Sequence, residues 1–439
     1  MTRLLRLLVP LIAFALPLAL GTYHSSRNFG AWNNIGVRYN PAWLFVYGAA
    51  FVVAAFVFGV PALVHRADQV LLASLLAATT PLAAASIVYV LYDPLVPRLV
   101  VVGTPALLFV AFVVLSFLHG LFHGRSAGSD RVAFIIGPHE WAGLENDLRF
   151  QPERSFSVAT VQEPDAVQST EEFAELVAGS APTLLVLSAA AQVSPSIVSH
   201  AARMHERGLR VRSLTGFYEE WLGKLPIGEL ERSSLWFDIR DIHELHYTRI
   251  KRVMDLVIAA ALTPLLLVSV PVVLVANLVG NQGPLFFRQS RVGQYDSVFS
   301  IWKYRTMSVQ DAADGAGEWT ASDDPRITRV GRLLRVSHVD ELPQVINVLL
   351  GQLSIVGPRP EQVHYVEELT KKIPFYGLRH VVKPGITGWA QVKYPYGASE
   401  HDALEKLQYE LFYLKRQSPG LDVRVCARTV RSMLLREGR

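Results

Sequence analysis

Two adjacent carboxylates, Asp340 and Glu341, lie between a basic stretch and an apolar stretch of this 439-residue chain. Ser337 and Asp340 are candidate N-caps, and with Pro343 in the first turn a helix is predicted to begin here. A carboxylate at a helix N-terminus is kept ionised by the helix dipole and by unpaired N–H groups, which also attract phosphate. Adjacent carboxylates cannot share one helical face. The pair therefore suits two tasks, in which one side chain attacks and the other holds a divalent cation.

A purely structural role, with Asp340 capping that helix, explains the same pattern. If the pair is functional, Mg²⁺ is the expected ion, because it accepts one or two carboxylates together with phosphate oxygens of a substrate. Glu341 is the candidate metal ligand. His338, beside the carboxylates, is the one histidine that we would test. We find no convincing nucleophilic triad, metal-binding histidine pair or Walker loop elsewhere in the sequence.

Cationic side chains precede the carboxylates in two groups. The first lies in an aromatic and basic segment between glycine turns, and the second recurs every three residues, which favours one helical face. Both groups fit the anionic headgroups of a membrane surface, and the first fits an anionic ligand equally well. The groups are Arg288, Arg291, Lys303 and Arg305, followed by Arg326, Arg329, Arg332 and Arg335.

Two further residues after the carboxylates are candidates for substrate binding. Arg359 lies between two prolines in Gly357-Pro358-Arg359-Pro360, and a guanidinium fixed in this way suits bidentate recognition of phosphate. A plain proline-rich turn has the same sequence. Trp389 follows cations and glycines, and it is expected either to stack on a base or sugar or to anchor packing.

The front of the chain is predicted to lie in lipid. Residues 1–120 contain no Lys or Glu and only eight charged side chains, and a membrane helix needs about 20 mostly apolar residues. The predicted spans are Trp43 to Val64, Val70 to Tyr92, Leu99 to Leu118 and a marginal Leu7 to Leu20. Since Arg3 and Arg6 precede the marginal span, a signal peptide is the alternative. Either topology leaves the chain after residue 120 in the cytoplasm, weakly supported by the distribution of arginines.

A small Rossmann-like α/β domain is predicted at 131–241. Apolar runs at Val132 to Ile136, Thr183 to Leu187 and Leu209 to Leu214 favour buried parallel strands, with a helix from Ser194 to Arg207 between two of them. The turn after Gly137 lacks the glycine spacing of a dinucleotide site. A role in regulation or assembly is therefore favoured over nucleotide binding. The single cysteine excludes an internal disulfide, and the net charge of +4 is too dispersed to favour nucleic acid.

A second lipid-embedded segment precedes the carboxylates. Leu256 to Ala276 contains no charge, but a simple crossing would put residues 280–439 outside the cell, away from activated cytoplasmic metabolites. Pro264 and Pro271 can bend the helix. We therefore predict a re-entrant hairpin at 253–279 that anchors an α/β catalytic domain at 249–439, with a fifth span as the alternative. The predicted fold class is membrane α plus α/β, with an N-terminal transmembrane bundle at 1–120.

Over about residues 249–439, the sequence resembles the bacterial sugar transferases, the monotopic polyprenyl-phosphate glycosyl-1-phosphate transferases. The ordered set of motifs is specific although each motif is weak. The membrane front end and the α/β domain resemble the large subgroup, and two later runs resemble members linked to exosortase-type exopolysaccharide systems. The motifs are Lys251-Arg252-Val253-Met254-Asp255, Gly283-Pro284, Arg291-Val292-Gly293, Lys303-Tyr304-Arg305-Thr306-Met307, Asp340-Glu341-Leu342-Pro343-Gln344, Val356-Gly357-Pro358-Arg359-Pro360 and Lys383-Pro384-Gly385-Ile386-Thr387-Gly388-Trp389; the later runs are Pro395-Tyr396-Gly397-Ala398-Ser399 and Glu405-Lys406-Leu407-Gln408-Tyr409.

The resemblance implies transfer of sugar 1-phosphate from a UDP-sugar to undecaprenyl phosphate in the bacterial inner membrane. By that analogy Asp340 attacks the β-phosphorus and forms a phosphosugar-aspartyl intermediate, UMP leaves, and Glu341 helps to hold Mg²⁺. The substrate-binding residues are then Arg291, Lys303, Arg305, Arg335, Arg359 and Trp389. Pro264 comes earlier than the family pattern leads us to expect, so the bend lies either there or at Ser269-Val270-Pro271.

Other functions stay open at this point. A catalytically silent membrane scaffold, or a regulator that senses a nucleotide, is the alternative from another class. A polytopic lipid phosphotransferase would need many more spans. The sugar is not encoded in any recognisable segment, and glucose or galactose is favoured by resemblance alone. The same resemblance allows a homodimer.

Overall fold

The computed structural model describes most of the chain, which divides into two compact units, Met1–Gly128 and Ser129–Arg439. The described residues are 2–28, 42–60, 70–71, 73–82, 98–126, 130–148, 153–167, 179–227, 245–281, 283–308, 326–394, 397 and 399–435. Residues 241–244, at the predicted boundary between the middle and catalytic domains, lie outside these ranges.

The first unit contains four described apolar helices, α1 (Thr2–Asn28), α2 (Ala42–Val57), α3 (Ala73–Leu82) and α4 (Arg98–Ser126). Leu7–His24 and Val100–Leu118 are long and apolar enough to cross a membrane. These stretches confirm the predicted helices at both places. The ends of the other two predicted spans, at 61–64 and 83–92, lie outside the described residues. Small side chains such as Ala13 and Ala77 are fully buried between the helices, while Val102 and Phe117 are exposed.

A four-stranded parallel sheet forms the middle part of the second unit, in the order β2-β1-β3-β4. The strands are β1 (Asp130–Ile135), β2 (Phe156–Gln162), β3 (Leu184–Leu187) and β4 (Arg210–Ser213), and the helices are α5 (Pro138–Asp147), α6 (Ala189–Val193), α7 (Pro195–Glu206) and α8 (Leu214–Phe217). Alternate residues of β1 and β3 enter two separate cores, so both faces of the sheet are covered. The three predicted strands and the predicted helix are confirmed.

Strand β2 was not predicted. It lies at the edge of the sheet, beside β1, and most of its side chains are only partly buried or exposed. Polar and apolar residues alternate along this strand, so its sequence contains no continuous apolar run. Only pairing with β1 identifies it as a strand.

The long apolar segment is one helix, α9 (Leu245–Gly280), which includes Pro264 and Pro271. No turn interrupts this helix, and the predicted re-entrant path with a bend at Pro264 or Pro271 stays a prediction. Its stretch Tyr247–Leu278 is long and apolar enough to cross a membrane. A straight α-helix of this length would extend for about 54 Å.

One narrow stripe of α9 packs against the rest of the second unit along its whole length. The buried members of the stripe recur at intervals of four and seven residues, while most of the remaining surface is exposed and apolar. The buried members are Asp255, Ala259, Leu266, Val273 and Asn277; the exposed residues include Val257, Leu267, Val268, Val275 and Leu278.

Both ends of α9 are tied to the same group of elements. Near its start, Arg252 donates to the carbonyl oxygens of Val348 and Leu349 at 2.7 and 3.0 Å. Just after its end, the amide of Asn281 donates to the carbonyl oxygen of Arg305 at 2.8 Å. Both ends of the helix therefore contact the same domain.

The C-terminal part of the second unit surrounds a hairpin of β5 (Phe286–Val292) and β6 (Val298–Tyr304) and a short parallel pair of β7 (Ser354–Val356) and β8 (Gly385–Thr387). Its helices are α10 (Arg329–Val336), α11 (Gln344–Leu349), α12 (Val363–Lys372), α13 (Trp389–Lys393), α14 (Glu400–Arg416) and α15 (Pro419–Leu435).

A buried network joins the middle and C-terminal parts. Lys224, whose side chain is 1% exposed, lies 2.6 Å from Asp147 and 2.8 Å from Glu405. The indole N–H of Trp389 donates to the carbonyl oxygen of Gly223 at 2.7 Å. These interactions join the two parts of this unit. Separating the parts would leave the buried charges of Lys224, Asp147 and Glu405 unpaired, which would cost folding free energy.

Candidate active site

Asp340 and Glu341 lie on a single 3₁₀ turn, Val339–Glu341, between α10 and α11. His338 begins this turn in the left-handed region, with φ of 55°. Helix α11 begins only at Gln344, with Pro343 at its N-cap position. The prediction that Asp340 caps this helix is therefore wrong, because the turn places the carboxylate before the proline that precedes the helix.

Glu341 is held between two cations. Lys303 Nζ lies 2.7 Å from Glu341 Oε1, and Arg359 Nη2 lies 3.4 Å from the same oxygen. Burial opposes ionisation of this carboxyl, but the two cations outweigh it and hold the pKa of Glu341 far below its usual range. Glu341 is therefore ionised at neutral pH.

Asp340 has the opposite electrostatic environment. Burial and the neighbouring charge of Glu341 raise the pKa of Asp340, and Lys303 and Arg335 only partly oppose them. The expected helix dipole does not act directly on Asp340, because α11 begins only at Gln344. Within the described residues, no hydrogen bond holds its carboxylate. The turn thus carries one paired carboxylate and one whose charge is stabilised less completely.

A small cleft opens beside this turn. Its wall includes Lys303, Glu341 and Arg359 as well as apolar and backbone groups, so anionic and uncharged parts of one ligand both find partners there. The lining residues are Arg291, Ile301, Lys303, Glu341, Gln344, Arg359, Pro360, Gly385 and Ile386. Cations and a carboxylate on one wall are a typical arrangement for binding a phosphate with a divalent ion.

The register between β6 and α11 brings Lys303 to the turn. Buried Asn347 on α11 donates to the carbonyl oxygen of Ser300 at 2.8 Å and accepts from the amide of Trp302 at 3.0 Å. These two bonds fix the end of β6 against α11. Lys303, the next residue, therefore reaches Glu341 from 38 positions earlier in the chain.

Three glycines allow the backbone of the Arg359 loop to pack directly on β8. A Cβ on Gly357 would meet the carbonyl oxygen of Lys383, and a Cβ on Gly385 or Gly388 would meet Gly357 itself. Only glycine permits this approach. The glycines in the two predicted motifs are thus explained by one contact, which sets the position of Arg359.

Arg379 supports the same loop through a hydrogen bond to its backbone, a role that the sequence did not indicate. It is 4% exposed and donates to the carbonyl oxygen of Arg359 at 2.9 Å. Two further donations reach both carboxylate oxygens of Glu410, at 2.9 and 2.8 Å, and another reaches the hydroxyl of Tyr376 at 2.6 Å. The basic residues at 379–383 indicate a binding or structural role for this segment. The pairing of Arg379 with Glu410 on α14 cannot be predicted from them, because the two residues are distant in sequence.

The other predicted site residues have mainly internal contacts. Arg291 lines the cleft and donates to the carbonyl oxygen of Pro360 at 3.0 Å. Arg335 donates to the hydroxyl of Thr306 at 3.0 Å and acts on Asp340 through its charge. Arg288, by contrast, stacks on Trp302 with its guanidinium carbon 3.6 Å from the ring centroid.

Arg305 and Trp389 are buried away from the cleft wall. The guanidinium of Arg305 donates to Asn281 and to the carbonyl oxygens of Pro284 and Met307, so it fastens the end of α9. Trp389 is 2% exposed and packs at the junction with the middle part of this unit. The structure thus brings Lys303, Glu341 and Arg359 together, with Asp340 beside them, and places Arg305 and Trp389 in supporting positions.

The donor set fits a magnesium ion in one respect. Adjacent carboxylates supply hard oxygen ligands, and Mg²⁺ is commonly held by one or two carboxylates with the remaining positions filled by water and phosphate oxygens. Among the described residues, no cluster of three or more His, Cys, Asp or Glu side chains forms a complete protein cage for a metal. A metal here would therefore need oxygens of a bound ligand.

Comparison with known proteins identifies a family and several relatives that match part of the chain. A family model described as bacterial sugar transferase matches residues 246–436. The UDP-N-acetylgalactosamine-undecaprenyl-phosphate N-acetylgalactosaminephosphotransferase of Aeromonas hydrophila is 40% identical over 188 residues, which cover 43% of this chain and 44% of the relative. The UDP-glucose:undecaprenyl-phosphate glucose-1-phosphate transferase of Escherichia coli is 40% identical over 185 residues, 41% of this chain and 39% of the relative.

A shorter relative is matched over nearly its entire length. The exopolysaccharide production protein PSS of Rhizobium leguminosarum bv. phaseoli is 37% identical over 198 residues, which cover 43% of this chain and 96% of that protein. The chain spans less than half of the length of the two longer relatives. Residues 246–436, which the family model matches, contain α9 from its second residue onward and all of the residues that line the cleft.

Proposed function

The chain belongs to the bacterial sugar transferase family, and on that premise we propose that it transfers sugar 1-phosphate from a UDP-sugar to undecaprenyl phosphate. The products are undecaprenyl-diphosphate-sugar and UMP, and the reaction initiates exopolysaccharide synthesis. The observation that carries the proposal is the turn with Asp340 beside cation-paired Glu341, within the residues that the family model matches.

In the first step, an oxygen of Asp340 attacks the β-phosphorus of the UDP-sugar. A phosphorus–oxygen bond forms to the carboxylate, and the bond between the β-phosphorus and the bridging oxygen breaks, so UMP leaves with that electron pair. In the second step, a phosphate oxygen of undecaprenyl phosphate attacks the same phosphorus and releases the Asp340 carboxylate. This two-step route lets a water-soluble donor and a lipid acceptor use one small cleft in turn.

The other cleft residues manage the negative charge of the donor. We assign Glu341 to Mg²⁺, which when bound would neutralise charge on the diphosphate. Lys303 and Arg359 orient Glu341 and present positive charge to the cleft, and Arg335 and Arg291 support phosphate binding from its sides. The raised pKa of Asp340 fits a carboxylate that is poorly stabilised as an anion and therefore reactive as a nucleophile.

The internal contacts of Arg305 and Trp389 favour a supporting role for both. Arg305 joins the end of α9 to β6, and Trp389 joins the cleft-bearing part to Gly223. Substrate contact by these two residues stays a prediction, as do the identity of the sugar and a homodimer.

We further infer a re-entrant path for α9 in the inner membrane, with the middle and catalytic parts on the cytoplasmic side. The two ends of the helix contact the same domain, and its exposed faces are apolar. A reporter enzyme fused after Arg439 should be active only as a cytoplasmic reporter. A periplasmic signal from that fusion would instead make α9 a span.

Release of UMP from UDP-sugars by membranes supplied with undecaprenyl phosphate tests the reaction, with a panel of sugars to find the donor. Asp340→Asn should lower the rate by at least about 10³-fold, because the amide cannot attack phosphorus. Glu368→Gln, an exposed change on α12, is the matched control and should leave the rate unchanged. Equal release by parent and Asp340→Asn would reject the nucleophile and favour the silent scaffold.

A further inference from the structure

A second cavity lies in the middle part of the chain, at the carboxyl ends of β1 and β2. Its volume is about 390 Å³, within the range of about 300–1,000 Å³ that small-ligand sites occupy. It is lined by Ile136, Pro138, Trp141, Val161, Gln162, Glu163 and Ala166. The family model begins at residue 246, so the family match does not include this cavity.

The position of the cavity follows from the topology of the sheet. Strand β1 pairs with β2 on one side and with β3 on the other, all in parallel. The cavity lies at the carboxyl ends of the neighbouring strands β1 and β2, beside the crevice between β1 and β3 where the strand order reverses. In open parallel sheets of this kind, ligands bind outside the carboxyl ends of the strands.

The walls of the cavity combine an aromatic ring with polar groups at one edge. Trp141 is half-buried, contacts Phe134 at a centroid distance of 5.6 Å, and lines the cavity together with aliphatic side chains. Gln162 ends β2, and the exposed carboxylate of Glu163 follows it directly. An aromatic wall suits a planar base, and a carboxylate at the end of the second strand suits a pair of sugar hydroxyls.

The same site is unsuited to a diphosphate. The amide of Gly137, where a phosphate would approach helix α5, already donates to Glu140 Oε2 at 3.0 Å. Pro138, the next residue, has no N–H to offer. The carboxylate of Glu140 would also repel an anion at that end of the helix. These features exclude the usual phosphate cradle of a dinucleotide site.

We propose that this cavity binds a nucleoside, with the base against Trp141 and the ribose hydroxyls donating to Glu163, and without contact to a phosphate. The proposal is independent of the transferase reaction, because the cavity shares no residue with the cleft. It agrees with the sequence argument against a dinucleotide site and specifies a smaller ligand.

Equilibrium dialysis of the full-length protein in detergent with labelled adenosine, guanosine, cytidine and uridine tests the proposal. At least one nucleoside should bind saturably at one site per chain. Glu163→Gln should weaken binding by about tenfold, which corresponds to about 1.4 kcal/mol. The Glu163 side chain is on the surface, so this variant should fold.

Glu140→Gln provides the matched control. It should leave nucleoside binding unchanged. It should strengthen binding of the corresponding 5′-monophosphate, because it removes a negative charge at the start of α5, where the phosphate would lie. Two results would overturn the proposal: no saturable binding of any of the four nucleosides up to millimolar concentration, or binding that Glu163→Gln leaves unchanged. The second result would locate the ligand elsewhere, for example in the donor cleft.

Discussion

Two groups of charged residues in the second unit have similar compositions and different consequences. At the junction of the middle and C-terminal parts, Lys224 contacts Asp147 and Glu405, and Glu153 contacts Lys393 and Arg428. In the cleft, Lys303 and Arg359 contact Glu341, and Asp340 lies beside them. Each group is formed by residues distant in sequence.

The difference lies in how completely the carboxylates are paired. At the junction, Arg428 and Lys393 lower the pKa of Glu153 to about 2 despite its burial. In the cleft, burial and the charge of Glu341 raise the pKa of Asp340. A fully paired network holds two parts of a protein together, whereas a network that leaves one carboxylate poorly stabilised keeps a reactive group ready for substrate.

Removing the cation of the junction should produce the largest loss of stability. Lys224→Met leaves two buried carboxylates without their shared partner, and breaking such a buried pair costs about 3–5 kcal/mol. Thermal unfolding in detergent should occur at a lower temperature, by roughly 6–10 °C. Lys372→Met, which removes two exposed pairs, with Glu368 on α12 and Glu400 on α14, is the control and should shift the midpoint by about 1 °C or less. A shift as small as that of the control would remove the distinction between the two networks.

Removing the equivalent cation of the cleft should mainly affect catalysis. Lys303→Met removes one of the two cations that pair with Glu341 and leaves the other, Arg359. We therefore expect the rate of transfer to fall by about 100-fold while the unfolding midpoint moves little. Rates of UMP release and thermal unfolding, measured on the same preparations, separate the two effects. A large loss of stability with an unchanged rate per folded molecule would contradict the comparison.

A smaller effect is expected where a buried pair supports the cleft indirectly. Arg379→Lys keeps the charge opposite Glu410 but cannot donate to that carboxylate and to the Arg359 carbonyl in the same geometry. We expect about a tenfold lower rate, through a looser Arg359 loop. The effect should largely vanish when Arg359→Ala is already present, because the two changes then act through the same residue. Additive losses would show that Arg379 acts independently of Arg359.

The junction should also weaken in acid. Since the folded state lowers the pKa of Glu153 from 4.5 to about 2, its contribution to stability is complete above pH 4.5 and is lost as the pH falls toward 2. Between pH 5 and pH 3.5, the parent should lose about 1 kcal/mol more of unfolding free energy than Glu153→Gln. Identical pH profiles of the two proteins would contradict this assignment.

The sequence was most informative where one local property determines the structure. The charge-free helices and the apolar strands β1, β3 and β4 follow from composition and periodicity alone. Strand β2 was missed because an edge strand needs no apolar run, and Asp340 was wrongly placed as a cap because local rules do not show that Val339–Glu341 forms a separate turn.

Contacts between distant segments could not be predicted in the same way. The pairing of Lys303 with Glu341 depends on Asn347 fixing the register of β6, and the support of Arg359 depends on Arg379 meeting α14. Resemblance to a family selected most residues of the cleft. It did not indicate which of the predicted residues line the cleft and which, like Arg305, hold the end of α9 in place.

The central claim is that Asp340 becomes covalently modified during transfer. Incubating the protein with a UDP-sugar that it uses, without lipid acceptor, and quenching in acid should trap the intermediate for peptide mass spectrometry. The account predicts a phosphosugar adduct on Asp340 that is absent from Asp340→Asn and disappears when undecaprenyl phosphate is added before quenching. Turnover with no adduct on Asp340, or with the adduct on another residue, would contradict it.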